Sequence, residues 1–83
     1  MKIFEATDLG RVCDDLGKET LKNKDECQKA AKELGNSFYG SWHTSSHPKG
    51  CFLYYNVLYW NTYHVGRKNA YSQAICKIGG KQH

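Results

Sequence analysis

Four cysteines dispersed over 83 residues constrain this chain more than any other feature. Cys13, Cys27, Cys51 and Cys76 span nearly its whole length. No two of them form a C-x-x-C pair, the spacing of zinc ribbons and thioredoxin-like redox sites. A chain this short buries a smaller share of its surface than a longer one, so its hydrophobic core is thin. Small natural folds compensate with cross-links, metals or partners. Dispersed cysteines in even number therefore read as a disulfide framework, formed in an oxidising compartment. The expectation is a single disulfide-stabilised domain over residues 1–78, a flexible Gly-Gly-Lys-Gln-His tail over residues 79–83, and a secreted, extracellular protein. The first residues lack the apolar run and small-residue cleavage site of a signal peptide, so on this reading the sequence is the mature form. No stretch is apolar for long enough to span a membrane, and no Asn-x-Ser/Thr acceptor for N-glycosylation occurs.

The clearest periodic signal is Lys24 to Leu34. Cys27, Ala30, Ala31 and Leu34 fall at i, i+3, i+4 and i+7, one face of a helix. Asn23 can cap its start through a side-chain oxygen. Asp25 and Glu26 lie in the first turn, where carboxylates suit the positive end of the helix dipole. Gly35 can take the left-handed position that ends it. The two alanines imply close approach to something flat, a sheet.

Ser37 to Trp42 reads as a strand, and His43 to Gly50 as a polar loop holding Pro48. Cys51 to Tyr63 is rich in β-branched and aromatic residues and has Asn56 near its centre, the pattern of a β-hairpin turning at Tyr55-Asn56 or Asn56-Val57. Side chains alternate along a strand, and opposed residues share a face. Under both turns Cys51, Leu53, Leu58 and Trp60 share one face, and Phe52, Tyr54 and Tyr59 share the other. Asp14 to Gly17 suggests a turn and Thr20-Leu21 a short strand. Ala70 to Ile78 closes the domain as a short helix or strand. The expected fold is α+β: one main helix packed on a short antiparallel sheet of three or four strands, with two disulfides. Four cysteines allow three pairings, and spacing alone does not choose among them. Geometry favours one. Cys27 lies on the apolar helix face and Cys51 opens one hairpin face, so a Cys27–Cys51 bond would staple helix to sheet. Cys13–Cys76 then ties the chain's ends, and the face holding Cys51 points inward.

An ordered series of short motifs runs through the chain: Glu26-Cys27-x-x-Ala30-Ala31-x-x-Leu34-Gly35, Pro48-Lys49-Gly50-Cys51, Trp60-Asn61-Thr62 and Ile75-Cys76-Lys77. It resembles a small four-cysteine module of predicted extracellular proteins from marine invertebrates and microbial eukaryotes. That module typically reads E-C-x-x-A-A-x-x-L-G, P-x-G-C, F-N-T and I-C, so Trp60 stands where Phe is commoner. The resemblance covers roughly residues 13–77. It implies secretion and disulfides, and it carries no catalytic residues and no established activity.

His43, His47 and Cys51 are spaced by four, which on a helix would gather metal ligands on one face. Pro48 and Gly50 argue against a helix there, and neither a metal nor a cofactor is expected. Ser45 and Ser46 lie beside His43 and His47, but no nucleophile elbow frames them, so catalysis is not the leading expectation. The histidines read as solvated loop residues. The net charge of +4 permits attraction to anionic glycans, membranes or nucleic acid and specifies none of them. The better functional signal is the hairpin's outer face. Phe52, Tyr54 and Tyr59, with Tyr63 nearby and Arg67 in the following loop, form the expected binding residues, because flat rings stack on sugars, on bases or on a partner's rings. The competing expectation is that another segment folds over these rings as a second small core. The leading function is a small secreted binding or defence protein, toxin-like or glycan-binding. Its expected partner is an extracellular glycan, a membrane surface or a protein, with no specific nucleic acid. A small secreted enzyme, such as a glycan hydrolase, and a structural self-assembling domain are the alternatives.

Overall fold

The computed structural model describes residues 3–78, and the tail expected at 79–83 lies outside the described residues. Helix α1 (Lys24–Leu34) forms where its periodicity places it. Asn23 caps it by accepting the Glu26 N–H at 2.9 Å, and the Glu26 carboxylate accepts the Lys22 N–H at 2.8 Å. Gly35 ends it in the left-handed region, at φ 75°, a conformation open to a residue without Cβ. The buried face is Cys27, Ala30 and Ala31.

The strands are β1 (Phe4–Ala6), β2 (Glu19–Thr20), β3 (Ser37–Trp42), β4 (Gly50–Tyr54), β5 (Val57–Asn61) and β6 (Ser72–Lys77). They form one sheet in the order β1-β6-β4-β5-β3, with β2 also paired to β6. The closing segment is thus a strand, and the turn expected near Asp14 is a 3-10 helix, Cys13–Leu16.

Two features differ from the expected short antiparallel sheet. The sheet has six strands, and β3 runs parallel to β5. The connection from β3 explains the second. β5 lies between β3 and β4, so no tight turn can join those two strands. The chain must cross the sheet to place β4 on the far side of β5, and residues 43–49 make that crossing. The extra strands come from the N-terminal segment, whose short pieces β1 and β2 both add to β6.

The hairpin turns at Tyr55-Asn56, with φ 50° and 66°. Positive φ at both central residues is the type I′ turn, whose twist matches the flanking strands. Cys51 then opposes Trp60, Phe52 opposes Tyr59 and Leu53 opposes Leu58. The inner face packs Cys51, Leu58 and Ile75 against Cys27, Ala30 and Ala31, with Phe4 and Leu21 alongside. Alanine at two contact positions lets the helix backbone sit close to the strands. Both expected disulfides are present, Cys27–Cys51 on this helix side and Cys13–Cys76 on the other. The outer one packs with Ala74 and Val12 as a second, smaller core. Polar ties complete the attachment of the helix. The Glu33 carboxylate accepts the Ile3 and Phe4 N–H groups, both at 2.9 Å, and Lys77 pairs with Glu26 at 2.8 Å. No helix among the described residues is long and apolar enough to cross a membrane.

Candidate functional site: an aromatic outer face

The register that turns Cys51 inward turns Phe52, Tyr54 and Tyr59 outward. The parallel pairing of β3 adds Trp42 to the same face, since Trp42 opposes Asn61, two residues on from Tyr59. His47 comes from the crossing segment, and the rings form a stack. Phe52 lies between His47, at 4.8 Å and 5° between planes, and Tyr59, at 5.3 Å and 16°. Trp42 leans on this stack, 5.0 Å from His47 and 5.2 Å from Tyr59. Tyr54 meets the His47 ring edge-on at 4.7 Å.

Phe52 was expected to be available to a partner, and the structure corrects this: it is fully buried. The cover is Trp42 and the crossing segment, which has to pass over β5 and β4 to reach its place. His47 is corrected as well, since it is a buried residue rather than a solvated one. Tyr54 and Tyr59 are half-buried. What remains open is a trough of about 270 Å³ lined by Tyr39, Ser41, Trp42 and Tyr59. Tyr39 is 70% exposed and lies 5.1 Å from Tyr59, at an irregularity in the β3–β5 register. Such an extra residue re-aims a side chain at a sheet edge. Its neighbour Gly40 puts no side chain on the face beside Tyr59. Tyr63 and Arg67 do not join the trough. Tyr63 packs edge-on against His43 at 5.1 Å, and Arg67 lines a separate cleft with Lys49 and Lys68.

Asn61 holds the covering segment in place. Its buried side chain accepts the Thr44 and Tyr63 N–H groups at 3.2 and 2.9 Å and donates to the carbonyls of Thr44 and Pro48 at 2.9 and 3.0 Å. Residues 62–71 then dock on it. The Arg67 N–H donates to the His47 carbonyl at 2.9 Å, and Asn69 donates to the Ser46 carbonyl at 2.8 Å. Gly66 is required at this contact, because a Cβ there would collide with the backbone of Lys49 and His47.

His47 makes the site sensitive to pH. Its ring neighbours are Trp42, Phe52, Tyr54 and the Ser72 hydroxyl, 3.1 Å from Nδ1, and none carries a compensating negative charge. Burial lowers its pKa below the ordinary 6.5. The unfolded chain therefore binds a proton before the folded one does, and stability falls as pH drops below the unfolded value. Glu26, whose pKa is lowered first by the Lys22 N–H, and Asp15, lowered first by Lys68, add losses only in the more acidic carboxylate range. Urea midpoints measured from about pH 8 to about pH 5 should fall for the natural chain and stay nearly level for His47→Phe. Equal slopes would show that the imidazole titrates freely.

Tyr39, Trp42 and His47 are functional candidates that the sequence reading missed. Aromatic residues in Ser37–Trp42 were visible, but strict alternation puts Phe38 and Trp42 on one face, whereas the irregularity between Phe38 and Gly40 leaves Phe38 against the helix-side core and Trp42 on the outer face. No family model, curated protein or solved structure matches this chain. Fold and site together define a disulfide-stapled α+β domain that presents an aromatic trough on its outer sheet face.

Proposed function

We propose that this chain is a small secreted binding module that takes carbohydrate in its aromatic trough. The observation that carries this reading is the lining itself. Tyr39, Trp42 and Tyr59 surround an open depression with Ser41 at its edge, and no charged side chain lines it. A sugar ring has apolar C–H faces that stack on aromatic faces and hydroxyl edges that need donors and acceptors. Mostly aromatic walls with a few polar groups suit such a ligand. The volume, about 270 Å³, suits one ring rather than a protein surface. Two disulfides accord with an extracellular setting. Recognition of a foreign surface glycan would give such a module a defensive use.

Screening the oxidised protein on a glycan array, followed by calorimetric titration of the hits, tests the reading. Tyr39→Ala and Trp42→Ala should each weaken binding by about 1–3 kcal/mol, by analogy with base stacking. Tyr39 is too exposed for its loss to disturb the fold, so its far-ultraviolet spectrum should be unchanged. An array without hits, or variants that bind as well as the natural chain, would refute the proposal.

A further inference from the structure

A second cleft lies on the same face as the trough. Ala74 opposes Phe52 across β4 and β6, so Ser72, Ala74 and Cys76 alternate onto the aromatic side of the sheet. Over Ala74 and Cys13 opens a cleft of about 260 Å³, walled by Pro48 and Val65. Lys49, Arg67 and Lys68 line it, and so does Asp14. Lys68 is held by Asp15 at 3.1 Å, whereas Arg67 and Lys49 form no ion pair among the described residues. The cleft is therefore cationic, beside a partly apolar wall that weakens solvent screening.

The crossing segment, with His47 and Pro48 buried in it, touches both depressions. His47 touches Trp42 of the trough, and Pro48 lines the cationic cleft. Tyr59 on β5 and Ala74 on β6 stand on either side of β4, two strand spacings or about 10 Å apart. A chain of several linked sugar rings lying over the crossing segment would span that distance.

We infer that the ligand is an anionic glycan chain: one ring stacks in the trough while a sulfate or carboxylate on a ring further along the chain is held by Arg67 and Lys49. This rests on the carbohydrate reading of the trough and adds the charge of the ligand to it. Arginine supplies the fork that matches sulfate or carboxylate oxygens two at a time. An uncharged trough beside a cationic cleft calls for a ligand with both characters.

Calorimetric titration of the oxidised protein with three size-matched oligosaccharides separates the possibilities: neutral cello-oligosaccharide, carboxylated oligogalacturonate and sulfated heparin oligosaccharide. One or both anionic probes should bind about tenfold tighter than the neutral one, the worth of a charge-assisted hydrogen bond. Comparing the two distinguishes a carboxylate ligand from a sulfate ligand. Added salt, and the double variant Lys49→Ala/Arg67→Ala, should remove the preference, while Tyr39→Ala should weaken all binding. Equal affinity for neutral and anionic probes, or a preference that survives the double variant, overturns the inference, and Tyr39-dependent neutral binding would then leave the trough reading intact. Anionic binding that ignores Tyr39→Ala overturns both, as does the absence of binding to all three.

Discussion

Reduction of both disulfides should lower the melting temperature by tens of degrees or unfold the chain outright. Cys13–Cys76 closes a separation of 63 residues and Cys27–Cys51 one of 24. Loop-closure entropy assigns them about 4 and 3.5 kcal/mol respectively. The smaller loop is nested inside the larger, so the two values do not simply add. Even one of them is a large part of the roughly 5–15 kcal/mol that holds a natural domain together. The locations sharpen the expectation. Each bond joins a different layer to the sheet, the helix on one side and the 3-10 helix on the other. Reducing them frees both covers at once. Thermal unfolding followed by circular dichroism, with and without reductant, measures the effect. A shift of only a few degrees would show that packing alone suffices.

A single aspartate on the helix should be nearly as damaging. Ala31 is 2% exposed and belongs to the core with Leu58 and Ile75. Ala31→Asp places a carboxylate there without a partner, a cost of several kcal/mol even after local relaxation. Lys32 is the internal control, adjacent in sequence and exposed to solvent. Lys32→Asp should cost no more than about 1 kcal/mol, from placing an acid at the negative end of the helix dipole. Similar denaturant midpoints for the two variants would mean that the buried face has been misassigned.

The elements legible in the sequence were those set by local chemistry. Asn23, Gly35 and the spacing of Cys27, Ala30, Ala31 and Leu34 specify the helix, because caps and periodicity act within a few residues. The division of the hairpin's faces was legible for the same reason, since both candidate turns put Cys51 opposite in sense to Phe52. Cys27 on the apolar helix face and Cys51 at one hairpin face favoured a bond between them, and the inward hairpin face and Cys13–Cys76 followed from it.

The candidate site was legible only in part. Tyr54 and Tyr59 were read from the hairpin and do stand at the aromatic face. Phe52 was read from the same alternation and is buried, because alternation says which side a residue faces and not what covers that side. The cover depends on β3 pairing with β5 instead of β4, and that choice lies in no local pattern. Once β3 is placed there, the following segment has to cross the sheet, carrying Trp42 and His47 onto Phe52 and leaving Tyr39 at the rim. By itself, then, the sequence determined the helix and the hairpin faces, consequences of spacing and side-chain chemistry, and favoured the pairing of the four cysteines that the structure shows. The strand order, the buried imidazole, the trough and the cationic cleft on the same face were decided by long-range packing, which brings together residues that the chain keeps far apart.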